Sequence, residues 1–215
     1  MSNNNDTTNI VETTIDYDGD VTILLPCTAN GTAHSARVSS KCLALASSVF
    51  SAMMGPRSMF LEGTRLRSAA QLELTLDDNP DAMLLILKLL HHRSNDVPRE
   101  VDLRMLYEIV LIADKYDLTE ALVPWVIIWT GHHREQQLFD SASSPELQLY
   151  ISWMLRDSTT FKEISRRLIL ETTLDASEDL VTREGNVVGE GISDRVVGEF
   201  GSDTYCMRRL TTQTP

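Results

Sequence analysis

The spacing of apolar and polar positions changes several times along the chain, and each change predicts an element. Asp20-Val-Thr-Ile-Leu-Leu-Pro26 is β-branched and apolar and stops at a proline, which predicts a strand. Thr28-Ala-Asn-Gly31 is turn material, because Asn-Gly tolerates positive φ, and Thr32 to Val38 reads as the returning strand. From Ser39 or Ser40, either of which can cap, Leu43, Ala46, Phe50 and Met53 fall on one helical face. Cys42, Leu45 and Val49 lie beside that face, and Gly55-Pro56 ends it. Leu72-Glu-Leu-Thr-Leu76 alternates with period two, so a strand with its three leucines inward is expected.

Helical spacing then takes over. Asp77-Asp-Asn-Pro-Asp81 is a helix start, with Asp78 or Asn79 as cap and Pro80 in the first turn. Met83 to Leu90 is apolar nearly all round, which predicts burial on most sides. Leu103, Leu106, Tyr107, Val110 and Ala113 mark another helix, and Thr119 opens one in which Pro124 predicts a kink or a division. Beyond a polar loop at 131–144, Ser144-Pro145-Glu146 opens a helix with Leu147, Ile151, Met154 and Leu155 as its stripe. Thr160-Phe-Lys-Glu163 has the spacing of a capping box. Few strands and many later helices predict an α+β arrangement, a small sheet covered by helices. The expected organisation is a disordered lead over residues 1–15, a main domain over 16–130, a helical extension over 131–173, and a glycine-interrupted tail over 174–215 that lacks a clear pattern.

Charge and cysteine usage narrow the function. A net charge of −12 argues against a general nucleic-acid binder, which needs a basic stripe to displace counterions from phosphates. The three cysteines, Cys27, Cys42 and Cys206, are far apart and form no CxxC, so a reducing, intracellular compartment is expected, with nucleus and cytoplasm both open. The N-terminus lacks the basic and apolar regions of a secretory signal, and no apolar run approaches a membrane span.

Candidate chemistry is sparse. Ser39, Ser40, Ser47, Ser48 and Ser51 crowd one helical stretch, but no Gly-x-Ser-x-Gly elbow accompanies them, and capping or packing accounts for serines there. Cys42 on the apolar stripe reads as an inert thiol. His91-His92 and His132-His133 are adjacent pairs that point about 100° apart on a helix, not the i,i+4 pairs that grip a metal; His34 stands alone. Asp77, Asp78 and Asp81 are explained by a helix N-terminus, where negative charge is favoured by about 0.3–1 kcal/mol. No phosphate loop occurs, and Trp125, Trp129 and Trp153 fall at core spacing. The residues therefore point to a protein that is not an enzyme, with no cofactor, metal or small-molecule substrate.

Four stretches, in order and spacing, resemble the BTB/POZ family over roughly residues 18 to 130. They are Asp20-Val21, the segment Ser40 to Met53, which with its Val49-Phe50 resembles the family's signature helix pair, Leu74-Thr-Leu-Asp-Asp78 with the helix after it, and Ala113-Asp-Lys-Tyr-Asp-Leu118. Phe60-Leu-Glu-Gly63, Val97-Pro-Arg-Glu-Val101 and the helical extension from Trp153 to Glu171 are similar to members from filamentous fungi. The resemblance implies a non-catalytic protein–protein interaction module whose partners are itself, as a homodimer, and other proteins, in a scaffold or regulatory adaptor. The dimer interface it implies involves Asp20, Val21, Ile23, Leu43, Met53 and Met54, at or beneath the contact. Where many members carry a histidine followed by a basic or small residue, this chain has Ser39-Ser40, so the charged pocket that some animal members form with Asp20 has no basic partner here. The alternative is a substrate adaptor of a cullin-based ubiquitin ligase. Phe60-Leu61-Glu62 resembles the hydrophobic-x-Glu stretch that meets the cullin in such adaptors, but a three-residue match is short, and a structural or solvent-facing loop accounts for it more readily.

Overall fold

The structure, a computed structural model, describes residues 9–28, 31–68, 71–135, 145–174 and 180–182. The chain divides into two compact units, Met1–Leu122 and Val123–Pro215, a division that falls earlier than the boundary at residue 130 suggested by the sequence. No described helix is long and apolar enough to cross a membrane.

The first unit is mixed α+β. Its sheet has the order β1-β3-β2-β4, with β1 (Asn9–Thr14), β2 (Val21–Leu25), β3 (Thr32–Val38) and β4 (Leu72–Thr75). β2 and β3 form the expected antiparallel hairpin, turned at Gly31 with φ +74°. β4 lies parallel to β2, and Leu72, Leu74 and Leu76 face inward as their alternation predicts. β1 corrects the expectation of a disordered lead over residues 1–15. It pairs in parallel with β3, from Asn9 opposite Thr32 to Thr14 opposite Arg37. Ile10 and Val11 are exposed, so backbone pairing rather than burial defines this strand, and no alternation announces it. Residues 1–8 lie outside the described residues.

Because β3 lies between β1 and β2, the connection from Ile15 to Asp20 must cross the end of β3. The N–H groups of Ile15 and Asp16 both donate to the Arg37 carbonyl, at 3.0 and 3.1 Å. A Cβ on Gly19 would stand 2.6 Å from the Val38 carbonyl oxygen, so only glycine passes there. Arg37 Nε donates back to the Gly19 carbonyl at 2.9 Å.

The apolar stripe from Leu43 to Met53, a single helix by its spacing and a helix pair by resemblance, is two helices: α1 (Ser40–Ala46) and α2 (Ser48–Met54). Ser47 between them is extended (φ −136°, ψ 125°), and its Oγ accepts the Phe50 N–H at 2.9 Å, capping α2. α3 (Leu61–Ser68) follows. Asn79 caps α4 (Pro80–Leu90) by accepting from the Asp81 and Ala82 N–H groups, with Pro80 at the first helical position. Asp102 caps α5 (Leu103–Lys115) by accepting from Met105 N–H at 2.7 Å. The core of this unit gathers Val21, Ile23, Leu43, Phe50, Met83, Ile86, Leu87, Leu106 and Ile109, all fully buried. Each such side chain contributes about 1.5–3 kcal/mol of hydrophobic stabilisation.

α4 and α5 end alike. His92 (φ 58°) and Asp117 (φ 52°) take the left-handed conformation. Arg93 N–H then donates to the Lys88 carbonyl and Leu118 N–H to the Ala113 carbonyl, both at 2.8 Å, which satisfies carbonyls left open by the last turn. These reversals aim His91 and Tyr116–Asp117 back at the rest of the unit.

α6 (Thr119–Glu135) runs through Pro124 without dividing. The only bond that Pro124 withholds is to the Glu120 carbonyl, and both residues are exposed, which leaves that carbonyl to solvent. In the second unit α7 (Pro145–Met154) packs on α8 (Ser158–Glu171). Leu147, Ile151 and Met154 are buried as the stripe predicts. α8 starts earlier than the capping-box spacing suggests: Asp157, not Thr160, is the cap, and it accepts from the Thr160 N–H at 3.1 Å and hydroxyl at 2.6 Å. Trp129 and Tyr150 are fully buried, in keeping with a core role for the tryptophan. Thr172–Leu174 (β5) pairs antiparallel with Leu180–Thr182 (β6), so the segment expected as a patternless tail from residue 174 begins with a hairpin. The remainder of that tail, 183–215, and most of the polar loop at 131–144 lie outside the described residues.

Candidate functional site

The residues singled out for chemistry converge on structural bonds. Tyr116, at the end of α5, stacks its ring on Phe50 of α2 with centroids 4.6 Å apart and planes 8° apart. Its hydroxyl donates to Asp78 Oδ2 at 2.6 Å, and its carbonyl accepts from the Ser47 hydroxyl. Ser48 Oγ donates to Asp117 Oδ2. Lys115 reaches Asp77 at 2.6 Å and Asp78 at 2.8 Å. Two stretches 69 residues apart are thus bound at two adjacent serines.

The electrostatics follow from this geometry. Asp77 is exposed, and the Lys115 hydrogen bond holds its carboxyl below the ordinary aspartate range. For Lys115, partial burial alone would lower the ammonium, but the bonds to Asp77 and Asp78 outweigh it and hold the group above the usual lysine value. Burial pushes the Tyr116 phenol well up, and its bond to Asp78 adds to that. A phenol so held stays protonated and donates; it is a strut, not a base.

The α1 N-terminus is closed from two sides. Asp20 accepts from Ser40 N–H and from Ser40 Oγ, both at 2.7 Å. His91, at the end of α4, accepts the Ser39 N–H at Nε2, 2.9 Å away, while Nδ1 lies 2.8 Å from the Leu87 carbonyl. Among the described residues the remaining thiols and imidazoles show no such convergence. Cys27 is exposed and Cys42 half-buried. Cys27, His34, Asn79 and Asp81 border a cavity of about 600 Å³ at the hairpin tip. Among the described residues no three His, Cys, Asp or Glu side chains could together hold a metal ion. Cys206 and the side chains of His132 and His133 lie outside the described residues.

The residues expected at or beneath an interface divide sharply. Val21, Ile23, Leu43 and Met54 are at most 5% exposed and belong to the unit's own core, so they underlie the surface. Met53 is half-buried, and Asp20 is held by Ser40. Apart from Ile10, Val11 and Tyr17 near the first strand, the large apolar groups of this unit that reach solvent are others: Leu45 of α1 at 88% exposure, and Met59, Phe60 and Leu61 at 95, 56 and 58%. Phe60 and Leu61 were singled out by sequence; Leu45 and Met59 were not singled out as contacts, since apolarity alone does not distinguish a buried position from an exposed one.

Ser58 sets that projecting segment. Its Oγ donates to the Met53 carbonyl at 2.7 Å and accepts the Phe60 N–H at 3.1 Å. Arg67 Nη2 donates to the Ser58 carbonyl at 2.9 Å. Gly63 lies flat on Ser58: a Cβ there would meet Ser58 Cβ at 2.4 Å and the Met53 carbonyl at 3.0 Å. With Ser58 beneath and Gly63 locked to it, Met59-Phe60-Leu61 is presented outward at the start of α3, with Glu62 partly exposed beside it. No family model matches the chain, and no curated protein is significantly similar to it.

Proposed function

We propose that the chain is a non-catalytic protein–protein interaction module of the BTB/POZ type, which self-associates and serves as a scaffold or regulatory adaptor. The observation that carries this reading is the contrast between a fully buried core and four large apolar side chains held in solvent on α1 and at the start of α3. Their exposure carries an unfavourable hydration that a partner would relieve, at about 25 cal/mol per Å² of apolar surface covered. Ser40, Ser47 and Ser48, with Asp20, Asp78 and Asp117, are committed to bonds within the unit. A symmetric contact through α1 would use Leu45 twice, once from each copy.

Phe60-Leu61-Glu62 favours a second reading as well, contact with a cullin, because its apolar pair projects and its glutamate stands at the first turn of α3. The first test is the solution mass of the full chain by light scattering, beside Leu45→Asp. Twice the 24.1 kDa monomer mass in the parent and a folded monomer in the variant is the expected result. Leu45 is chosen because Asp at the buried Met54 would unfold the unit instead. A parent that is monomeric at about 100 μM, a concentration that populates even weak dimers, overturns self-association. Binding of a purified cullin that is abolished by Phe60→Ala would support the second reading.

A further inference from the structure

We propose that His91 is a proton-operated latch on the start of α1, and that self-association weakens as it opens in acid. The second half rests on the self-association reading above; the first stands on geometry alone. Nε2 lies 2.9 Å from the Ser39 nitrogen, a backbone N–H that can only donate, so Nε2 must accept. Nδ1 lies 2.8 Å from the Leu87 oxygen, a carbonyl that can only accept, so Nδ1 must carry the hydrogen. Both ring nitrogens are therefore assigned by their partners, and the ring that fits is neutral. A second proton, on Nε2, sets a donor against the Ser39 N–H and breaks that bond. Ser39 is the N-cap of α1, so the bond that is lost lies at the start of that helix.

The surrounding charges decide how far the opening spreads. On the elements about the ring these are Asp20 before β2, Arg37 on β3, Lys41 on α1, and Lys88 and Arg93 beside it in sequence. The 3-10 turn (Ser94–Asp96) adds Asp96, α5 adds Arg104, Glu108, Asp114 and Lys115, β3 adds His34, α4 adds Asp81, and His92 follows the ring in sequence. Arg37 is bound to the Gly19 carbonyl and Arg93 to the Ile15 carbonyl. Asp20 is the carboxylate that bonds the neighbouring amide of the same helix end, through Ser40. The proton thus loosens Ser39 while the Asp20–Ser40 bonds remain, at the start of the helix whose outer side carries Leu45.

The test uses the full-length protein. At pH 7.5 the ¹⁵N shifts of the His91 ring should report the neutral Nδ1–H tautomer; the Nε2–H tautomer overturns the latch. Between pH 7.5 and 5.5, Ser39 amide protection, corrected for the intrinsic pH dependence of exchange, should fall about fivefold, the size of one lost hydrogen bond. Amides of α5 should not change. In His91→Gln, whose Oε1 can accept the same N–H and takes up no proton in this range, Ser39 protection should be flat. Unchanged protection in the parent, or an equal fall in the variant, overturns the latch. The dimer dissociation constant, followed in parallel, should rise several-fold in the parent alone; a constant value with falling Ser39 protection overturns the link to association. A monomer at both pH values with falling protection leaves the latch standing and removes the self-association reading beneath it.

Discussion

Tyr116→Phe isolates one bond without disturbing the packing around it. Phenylalanine keeps the ring and hence the stack on Phe50, and the backbone carbonyl that accepts from Ser47 is untouched. Only the hydroxyl that donates to Asp78 Oδ2 is lost. Asp78 is 5% exposed, so its Oδ2 is left desolvated and without that donor, while Oδ1 keeps Lys115. Removing the donor of a hydrogen bond to a buried charged group costs about 2 kcal/mol. With a urea dependence of about 2 kcal/mol per M, the unfolding midpoint should drop by about 1 M. The probe must be chosen with care: Trp125, Trp129 and Trp153 all lie in the second unit, so tryptophan fluorescence would report the wrong half of the chain. Amide signals of Ile109 and Val110 in α5, both buried in the first unit, report the right one. In an Asp78→Ala background the same substitution should cost less than about 0.5 kcal/mol, because its partner is already gone. A midpoint within about 0.2 M of the parent would show that the bond contributes nothing net, and with it the view that the end of α5 is anchored by this carboxylate would fall.

Two further outcomes follow from the same neighbourhood and from α3. Tyr116 and Lys115 both hold their protons more tightly when folded, so they contribute stability below about pH 10 that is lost as the unfolded chain begins to release those protons above it. Urea titrations at pH 9 and 11 should show that decline, and Tyr116→Phe should flatten it. Gly63→Ala should destabilise the α2–α3 region by about 1–3 kcal/mol, since the new methyl must displace Ser58 and the Met53 carbonyl, neither of them a flexible side-chain end. Its measurable sign is faster exchange of the Phe60 amide, which is bonded to Ser58 Oγ, ahead of any change in α5.

Much of the first unit was legible because its elements are defined by burial. The alternation of Leu72, Leu74 and Leu76 and the Asn79-Pro80 start of α4 are local signals that tertiary structure leaves in place. The misses share a cause: each is fixed by a partner distant in sequence or by backbone pairing alone. By spacing alone the stripe from Leu43 to Met53 reads as one helix, and only the resemblance implies a pair; the break falls at Ser47, whose hydroxyl donates to the Tyr116 carbonyl 69 residues away. β1 carries apolar side chains that stay in solvent, so no periodicity marks it. At the candidate site, Phe60-Leu61-Glu62 was legible as a short pattern, but Ser58 as its support was not, because its role depends on the approach of Gly63. His91 offered only an adjacent-histidine pair; the bond to Ser39 appears once the left-handed turn at His92 ends α4 beside α1.

The threading of β1 has a consequence for the order of events along the chain. Its connection wraps the end of β3 and needs the Arg37 and Gly19–Val38 contacts to exist, so the β2–β3 hairpin must be in place before β1 can dock. Once docked, β1 is an outer strand whose Ile10, Val11 and Thr14 remain in solvent, so leaving costs it backbone hydrogen bonds and little apolar burial. It therefore joins after the hairpin it docks on and departs before it, opening at a free energy below that of global unfolding. Each departure turns a four-stranded sheet into a three-stranded one and bares the backbone of β3 along its length, from Thr32 to Arg37.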